Sequence, residues 1–196
     1  MSARPLRADA QRNRERLLEA AVRAFSHDGP DVTLDAIAKD AGVGIGTLYR
    51  HFPTREALVD AAYQNELARL CDGVTELLAT MPPDTAARTW MDRFIDYMAT
   101  KRGMADALGA VIASGGNPYA NSKDRLMTAI TALLAAGTDA GTIRSDVEPL
   151  EILAWLGGVS MMGEFISRDV AGRMINLLMD GLRHGAKKPR AAHRTS

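Results

Sequence analysis

The chain has 196 residues, 46 % of them apolar and 24 % charged, and its acidic and basic side chains balance. That is ordinary globular usage and long enough for a real core, so disorder along most of the chain is excluded. Cys71 is the only cysteine, which excludes an internal disulfide framework and a zinc site built on paired thiolates. No apolar run approaches the roughly 18 residues of a membrane span, and the basic N-terminus has no apolar stretch behind it, so neither a membrane protein nor a secreted one is expected. A cytoplasmic protein is the expectation.

The zero net charge hides an uneven distribution. Residues 1–16 carry five arginines against Asp9 and Glu15, residues 66–182 are net acidic, and residues 183–196 carry five Lys/Arg and no acid. Basic ends suit a polyanion, although solvated tails give the same pattern.

The dominant period along the chain is helical. Leu17, Leu18, Ala21, Val22 and Phe25 recur at spacings of three and four, predicting an amphipathic helix over 11–27 that Gly29-Pro30 would stop. Thr33 is an N-cap for a short helix over 34–40, with Leu34, Ile37 and Ala38 inward. Ala41-Gly42-Val43 reads as a tight reversal, and a second short helix runs from about Ile45 to Phe52 around Leu48 and Phe52. Thr54 caps a long helix to about Thr80, and Pro82-Pro83 breaks it. Trp90, Phe94, Tyr97 and Met98 mark a helix to about Thr100. Leu108, Val111 and Ile112 mark a shorter one. Ser114 to Pro118 is a loop by composition. Residues 122–136, 149–163 and 170–183 read as three further helices. The tail after His184 looks disordered. No segment sustains a period of two, so no sheet is expected.

The last two helices are apolar on more than one face and must be covered on several sides. A second copy of the chain is the reading favoured for one of those sides, with Leu156, Val159, Met162, Met174, Leu177 and Leu178 as candidate interface residues; a central core position would also account for them.

The informative segment is VTLDAIAKDAGVGIGTLYRHFPTREAL, residues 32–58. Helix, glycine turn and short helix is the helix-turn-helix order, in which the second helix enters the DNA major groove. Leu34, Ile37, Ala38, Val43, Leu48 and Phe52 account for a small inner core. Ile45, Gly46, Thr47, Tyr49, Arg50 and His51 are left for the surface, and their polar members can donate to phosphates or reach base edges.

AGVGIGTLYRHF followed by PTREAL, together with LLEAAVRAFSHDG upstream, resembles the DNA-binding domain of TetR-family transcriptional regulators over residues 11–70. The rest looks like the family's effector-binding and dimerisation domain, with AGTIRSDV and MDGLR similar to the SbtR-like subgroup. The resemblance implies an all-α fold of about nine helices: a basic flexible arm (1–10), a three-helix DNA-binding domain (11–70, helix-turn-helix about 33–52) linked by the fourth helix, a larger helical domain (71–185) and a basic disordered tail (186–196). It implies phosphate contacts for Thr33, Thr47, Tyr49, His51 and Arg55, and base-facing positions for Ile45, Gly46 and Arg50. Gly44 stands where many members have a capping serine, which removes one hydroxyl from that contact set. Asp35 stands where some members carry a basic residue, and reads as a favourable charge at a helix N-terminus. Arg4 and Arg7 are candidates for the minor groove.

The resemblance also implies a small-molecule pocket. Trp90, Phe94, Tyr97, Met98, Met104, Leu108, Met127, Ile130 and Trp155 are candidates for its wall, each of which would serve equally as plain core. Few charges fall in these stripes, which points to an apolar or aromatic effector. The expected partners are therefore a double-stranded DNA operator, that effector and a second copy of the chain. The histidines lack metal spacing, no catalytic constellation is legible, and no metal or cofactor is expected. A ligand-released homodimeric repressor is the leading reading. A binding or interaction module of the same fold without sequence-specific DNA binding is the alternative.

Overall fold

A computed structural model of the protein describes residues 4–28 and 31–185. Gly29, Pro30 and the tail 186–196 lie outside the described residues, as do residues 1–3 and the side chains of Arg4 and Arg7. Among the described residues there are nine α-helices, one short 3-10 turn and no strand. The helices are α1 (Arg4–His27), α2 (Leu34–Asp40), α3 (Ile45–His51), α4 (Arg55–Thr80), α5 (Pro83–Gly103), α6 (Ala105–Ala113), α7 (Ser122–Asp139), α8 (Pro149–Met161) and α9 (Arg168–Arg183), with the 3-10 turn at Met162–Glu164.

The first helix begins at Arg4 rather than near residue 11, so the arm expected to be flexible is helical. Periodicity marks only the buried face. The turns before Leu17 are largely solvent-exposed and are held along the helix by Arg12 to Asp9 and by Gln11 donating to Glu15 at 2.8 Å. The caps follow local chemistry. Thr33 Oγ1 accepts from the Ala36 N–H at 3.2 Å, Thr54 Oγ1 from Ala57 at 3.1 Å, and Ser167 Oγ from Val170 at 3.3 Å.

The chain packs into two compact units. The first holds the residues up to Leu67 together with Thr100–Ala120. Its core joins Leu17, Leu18 and Phe25 of α1 with Ile37, Leu48, Phe52, Leu58 and Tyr63, all essentially buried. Burying each such side chain contributes roughly 1.5–3 kcal/mol. Residues 100–120, expected to lie within the larger domain, belong to this unit for a backbone reason. A Cβ on Gly103 would stand 2.8 Å from the Ser26 carbonyl oxygen, so the end of α5 approaches α1 more closely than a side chain allows. The loop after α6 is tied to α4 as well. Gln64 donates to the Pro118 carbonyl at 2.7 Å, and Tyr119 meets Tyr63 edge-on at 5.4 Å. The Lys101 ammonium sits 4.3 Å from the centre of the Tyr119 ring. Burial lowers the Lys101 pKa and raises that of Tyr119.

The second unit holds Ala68–Ala99 and the residues from Asn121 onward. Trp90, Phe94 and Tyr97 form a run of rings with centres 5.7 and 6.2 Å apart. The Trp90 indole N–H donates to the Leu70 carbonyl at 3.0 Å, so this fully buried ring is also a pin between α4 and α5. In the AGTIRSDV stretch, the Gly137 carbonyl accepts from the Thr142 and Ile143 N–H groups, and Ile143 lies where a Cβ at residue 137 would be, 2.5 Å from its Cδ1. A row of charges registers α9 on α5. Arg168 reaches Asp92 (3.0 Å) and Asp96 (2.7 Å), Arg183 reaches Asp84 (2.8 Å), and Arg88 joins Asp92 to Asn176 (2.7 Å). Singly such exposed pairs contribute little; as a network they select one alignment.

Candidate nucleic-acid interface

The site begins with a turn. Gly42 has φ +66, the left-handed region that favours glycine, so the chain reverses there and sets α3 across α2. The turn is closed by the Gly42 N–H to Lys39 and the Val43 N–H to Ala38, at 3.1 and 3.0 Å. Gly44 is the N-cap of α3 in an extended conformation, and its carbonyl accepts from Thr47 at 2.8 Å. Leu48 and Phe52 are buried and anchor α3 to the core.

With those two residues inward, the rest of α3 is presented to solvent. Tyr49 is 50 % exposed, unusual for a large ring with no place in the core. Gly46 and Arg50 are exposed, and Ile45, Thr47 and His51 are half-buried. Gly44 and Gly46 are not glycines because the fold demands it, since a Cβ at either would meet nothing within 4 Å. Their effect is to leave bare backbone at the start of α3. Thr33 spends an oxygen lone pair on capping α2, which leaves its hydroxyl hydrogen free to donate. Arg55, expected to reach outward, is turned inward. It donates to the Val32 carbonyl and lies over the Phe25 ring, with its carbon 4.8 Å from the ring centre. It therefore clasps the α1–α2 connection to α4. These two partners are 23 and 30 residues away in the chain, beyond the reach of a local pattern.

In the second unit, a groove of about 550 Å³ runs between α8 and α9. It joins Trp155, a candidate pocket residue, to Met174, Leu177 and Leu178, candidate interface residues, with Ile152 and Arg144 beside them. Leu156 and Val159 are buried within the chain itself. Exposed apolar residues near this end include Leu177, Met161, Met162 and Phe165; Met161 is the last residue of α8, and Met162 and Phe165 follow it, where a periodicity argument has no face to assign. Of the other pocket candidates, Trp90, Phe94, Tyr97 and Ile130 are buried in the second unit, while Met98 and Met127 are half-buried there. Met104 and Leu108 are buried in the first unit.

A short exposed helix carrying Thr, Tyr, Arg and His, set by a glycine turn on a small helical core, defines a helix-turn-helix DNA-binding protein. Comparison with known proteins makes this specific. Residues 17–62 match the family described as bacterial regulatory proteins of the tetR family, and residues 82–184 match the SbtR-like transcriptional regulator C-terminal domain. A TetR transcriptional regulator of Streptomyces coelicolor is 53 % identical, covers 87 % of this chain and 98 % of its own, and superposes with a TM-score of 0.83. A TetR regulatory protein of Mycobacterium vanbaalenii is 37 % identical over 91 % of this chain and 99 % of its own, with a TM-score of 0.77. An HTH-type transcriptional regulator of Staphylococcus aureus is 40 % identical over 63 residues, about a third of each chain (32 % of this one and 34 % of the relative). The chain belongs to the TetR family of transcriptional regulators, whose members here are regulators and not enzymes.

Proposed function

We propose that this regulator is a homodimeric repressor, released from a palindromic operator by an apolar or aromatic small molecule. The observation that carries the reading is α3 itself, which leaves Tyr49 and Arg50 exposed to solvent beside a buried Leu48. Arg50 is the residue able to read guanine through O6 and N7, while Thr33, Thr47, Tyr49 and His51 supply phosphate contacts. Support for a dimer comes from exposed Leu177, Met161, Met162 and Phe165, too apolar a set to stay in water without cost. Two recognition helices one turn of DNA apart, roughly 34 Å, fit a palindromic site. An effector that lowers operator affinity about 100-fold must favour the released state by roughly 2.7 kcal/mol. The groove between α8 and α9, lined by Ile152, Trp155, Met174 and Leu178, supplies apolar and aromatic surface suited to such a molecule. A DNA-binding regulator of this kind works in the cytoplasm.

The test is selection from random duplex DNA at about 150 mM salt. A palindrome with fixed half-site spacing is expected, and Arg50→Ala should relax one position in each half-site while Tyr49→Ala weakens all sequences alike. No enriched sequence from a ligand-stripped sample would turn the reading to a binding module without sequence-specific DNA recognition.

A further inference from the structure

Among the described side chains, the arginines of α1 divide into two kinds. Arg23 pairs with Asp40 at 2.7 Å, and Arg12 pairs with Asp9. Arg14 and Arg16 pair with no carboxylate among the described residues. Both are nevertheless placed, and both are placed on the helix-turn-helix. An Arg16 terminal nitrogen stands 3.4 Å from where a Cβ on Gly42 would be, so it rests against the turn at the start of α3 in room the glycine leaves. The other terminal nitrogen donates to Asn13 Oδ1 at 2.5 Å, which orients the fork and uses one of its five N–H donors. Arg14 holds its guanidinium carbon 5.5 Å from the centre of the Phe52 ring, the residue that caps the end of α3. Two guanidinium groups thus bracket a seven-residue helix, one at each end, whose rise is about 10 Å.

We infer that Arg14 and Arg16 seat two DNA backbone phosphates, one at each end of the recognition helix, and so fix its register in the groove. The inference rests on the proposed operator binding and adds to it a pair of contacts from α1. The chemistry is direct. A guanidinium accepts no hydrogen bond and keeps its charge at any working pH, so one without a carboxylate beside a groove-reading helix has phosphate oxygen as its natural acceptor. Preorientation by Asn13 and by the Phe52 ring lowers the side-chain entropy given up on binding phosphate. Arg23, already neutralised by Asp40, has no such need of a phosphate. Because phosphates carry no base information, the two arginines should contribute affinity and register without sequence preference.

The experiment measures operator affinity against salt for the full chain and for Arg14→Gln, Arg16→Gln, Arg14→Lys and Arg23→Gln, with thermal unfolding of each followed by circular dichroism. Removing one arginine–phosphate pair should make the slope of log affinity against log salt shallower by about 0.9, hence by about 2 per dimer for each glutamine variant. Unchanged base preference, a slope largely restored in Arg14→Lys and an unaltered slope in Arg23→Gln are expected. Slopes for Arg14→Gln and Arg16→Gln equal to that of Arg23→Gln, with specific binding intact, would overturn the inference alone. A glutamine variant that lost sequence preference instead would overturn it too. Absence of specific binding by the unsubstituted chain would overturn the operator reading and the inference with it.

Discussion

Replacing Gly42 by alanine should loosen the turn that sets α3, and replacing Gly46 by alanine, four residues on, should do the opposite. Gly42 has φ +66, where an L side chain costs roughly 1–2 kcal/mol. Reduced freedom of the unfolded chain offsets about 0.4–1 kcal/mol of that. The new Cβ would meet only the end of the Arg16 side chain at 3.4 Å, which can move, so packing adds little. The net destabilisation is about 1 kcal/mol, a lowering of Tm by roughly 2–4 °C for a chain of this size. Gly46 lies in the first turn of α3, where an added Cβ meets nothing within 4 Å. Alanine there gains helix propensity of up to about 1 kcal/mol. Urea unfolding followed by circular dichroism reads the global change. Exchange of the Val43 amide, which closes the turn on Ala38 at 3.0 Å, reads the local one and should quicken about fivefold in Gly42→Ala. Equal effects of the same sign in the two variants would refute the conformational argument, because both add the same methyl group to the same helix-turn-helix.

Three further outcomes follow from the second unit. Trp90→Phe should cost about 2 kcal/mol in urea unfolding, through a lost indole hydrogen bond to Leu70 and a residual cavity, and Trp155→Phe, at a half-buried site, should cost less. Burial pushes the Cys71 thiol up to about 11, against the opposing charge of Arg125, so alkylation should be slow at pH 8 and accelerate only near pH 11. The unfolded thiol ionises near 9, so between about pH 9 and 11 the folded state holds the extra proton and this group makes stability fall as pH rises. Asp146 is held at about 2 by its hydrogen bond from Arg144. That stabilisation is present above the ordinary carboxylate value of 3.8 and is lost as pH falls toward 2; Arg144→Met should return the Asp146 midpoint to the ordinary range, read by NMR titration.

The site was legible to the degree that it is local. The turn at Gly42, the caps at Thr33 and Thr54, and the inward Leu48 and Phe52 are each decided within a few residues by backbone conformation or helical period. The outward set on α3 follows by subtraction from that core. Arg55 was not legible in the same way. Its long side chain can reach phosphate or fold back, and the choice is made by the Val32 carbonyl and the Phe25 ring, both distant in sequence.

The chain by itself determines the helices, because apolar period, caps and breakers act over spans of one or two turns. It determines the recognition helix for the same reason, with the AGVGIG turn placing α3 after α2. Only tertiary structure decides which helices share a unit and which charges find a carboxylate. Residues 100–120 join α1 to α4 because Gly103 lets one backbone touch another at Ser26. Arg23 is neutralised because Asp40 is within its reach, whereas Arg16 lies beside the Gly42 turn and is oriented by Asn13 rather than by a carboxylate. Packing between segments far apart in sequence leaves no period to read, since any of several arginines or apolar faces satisfies the local pattern equally well.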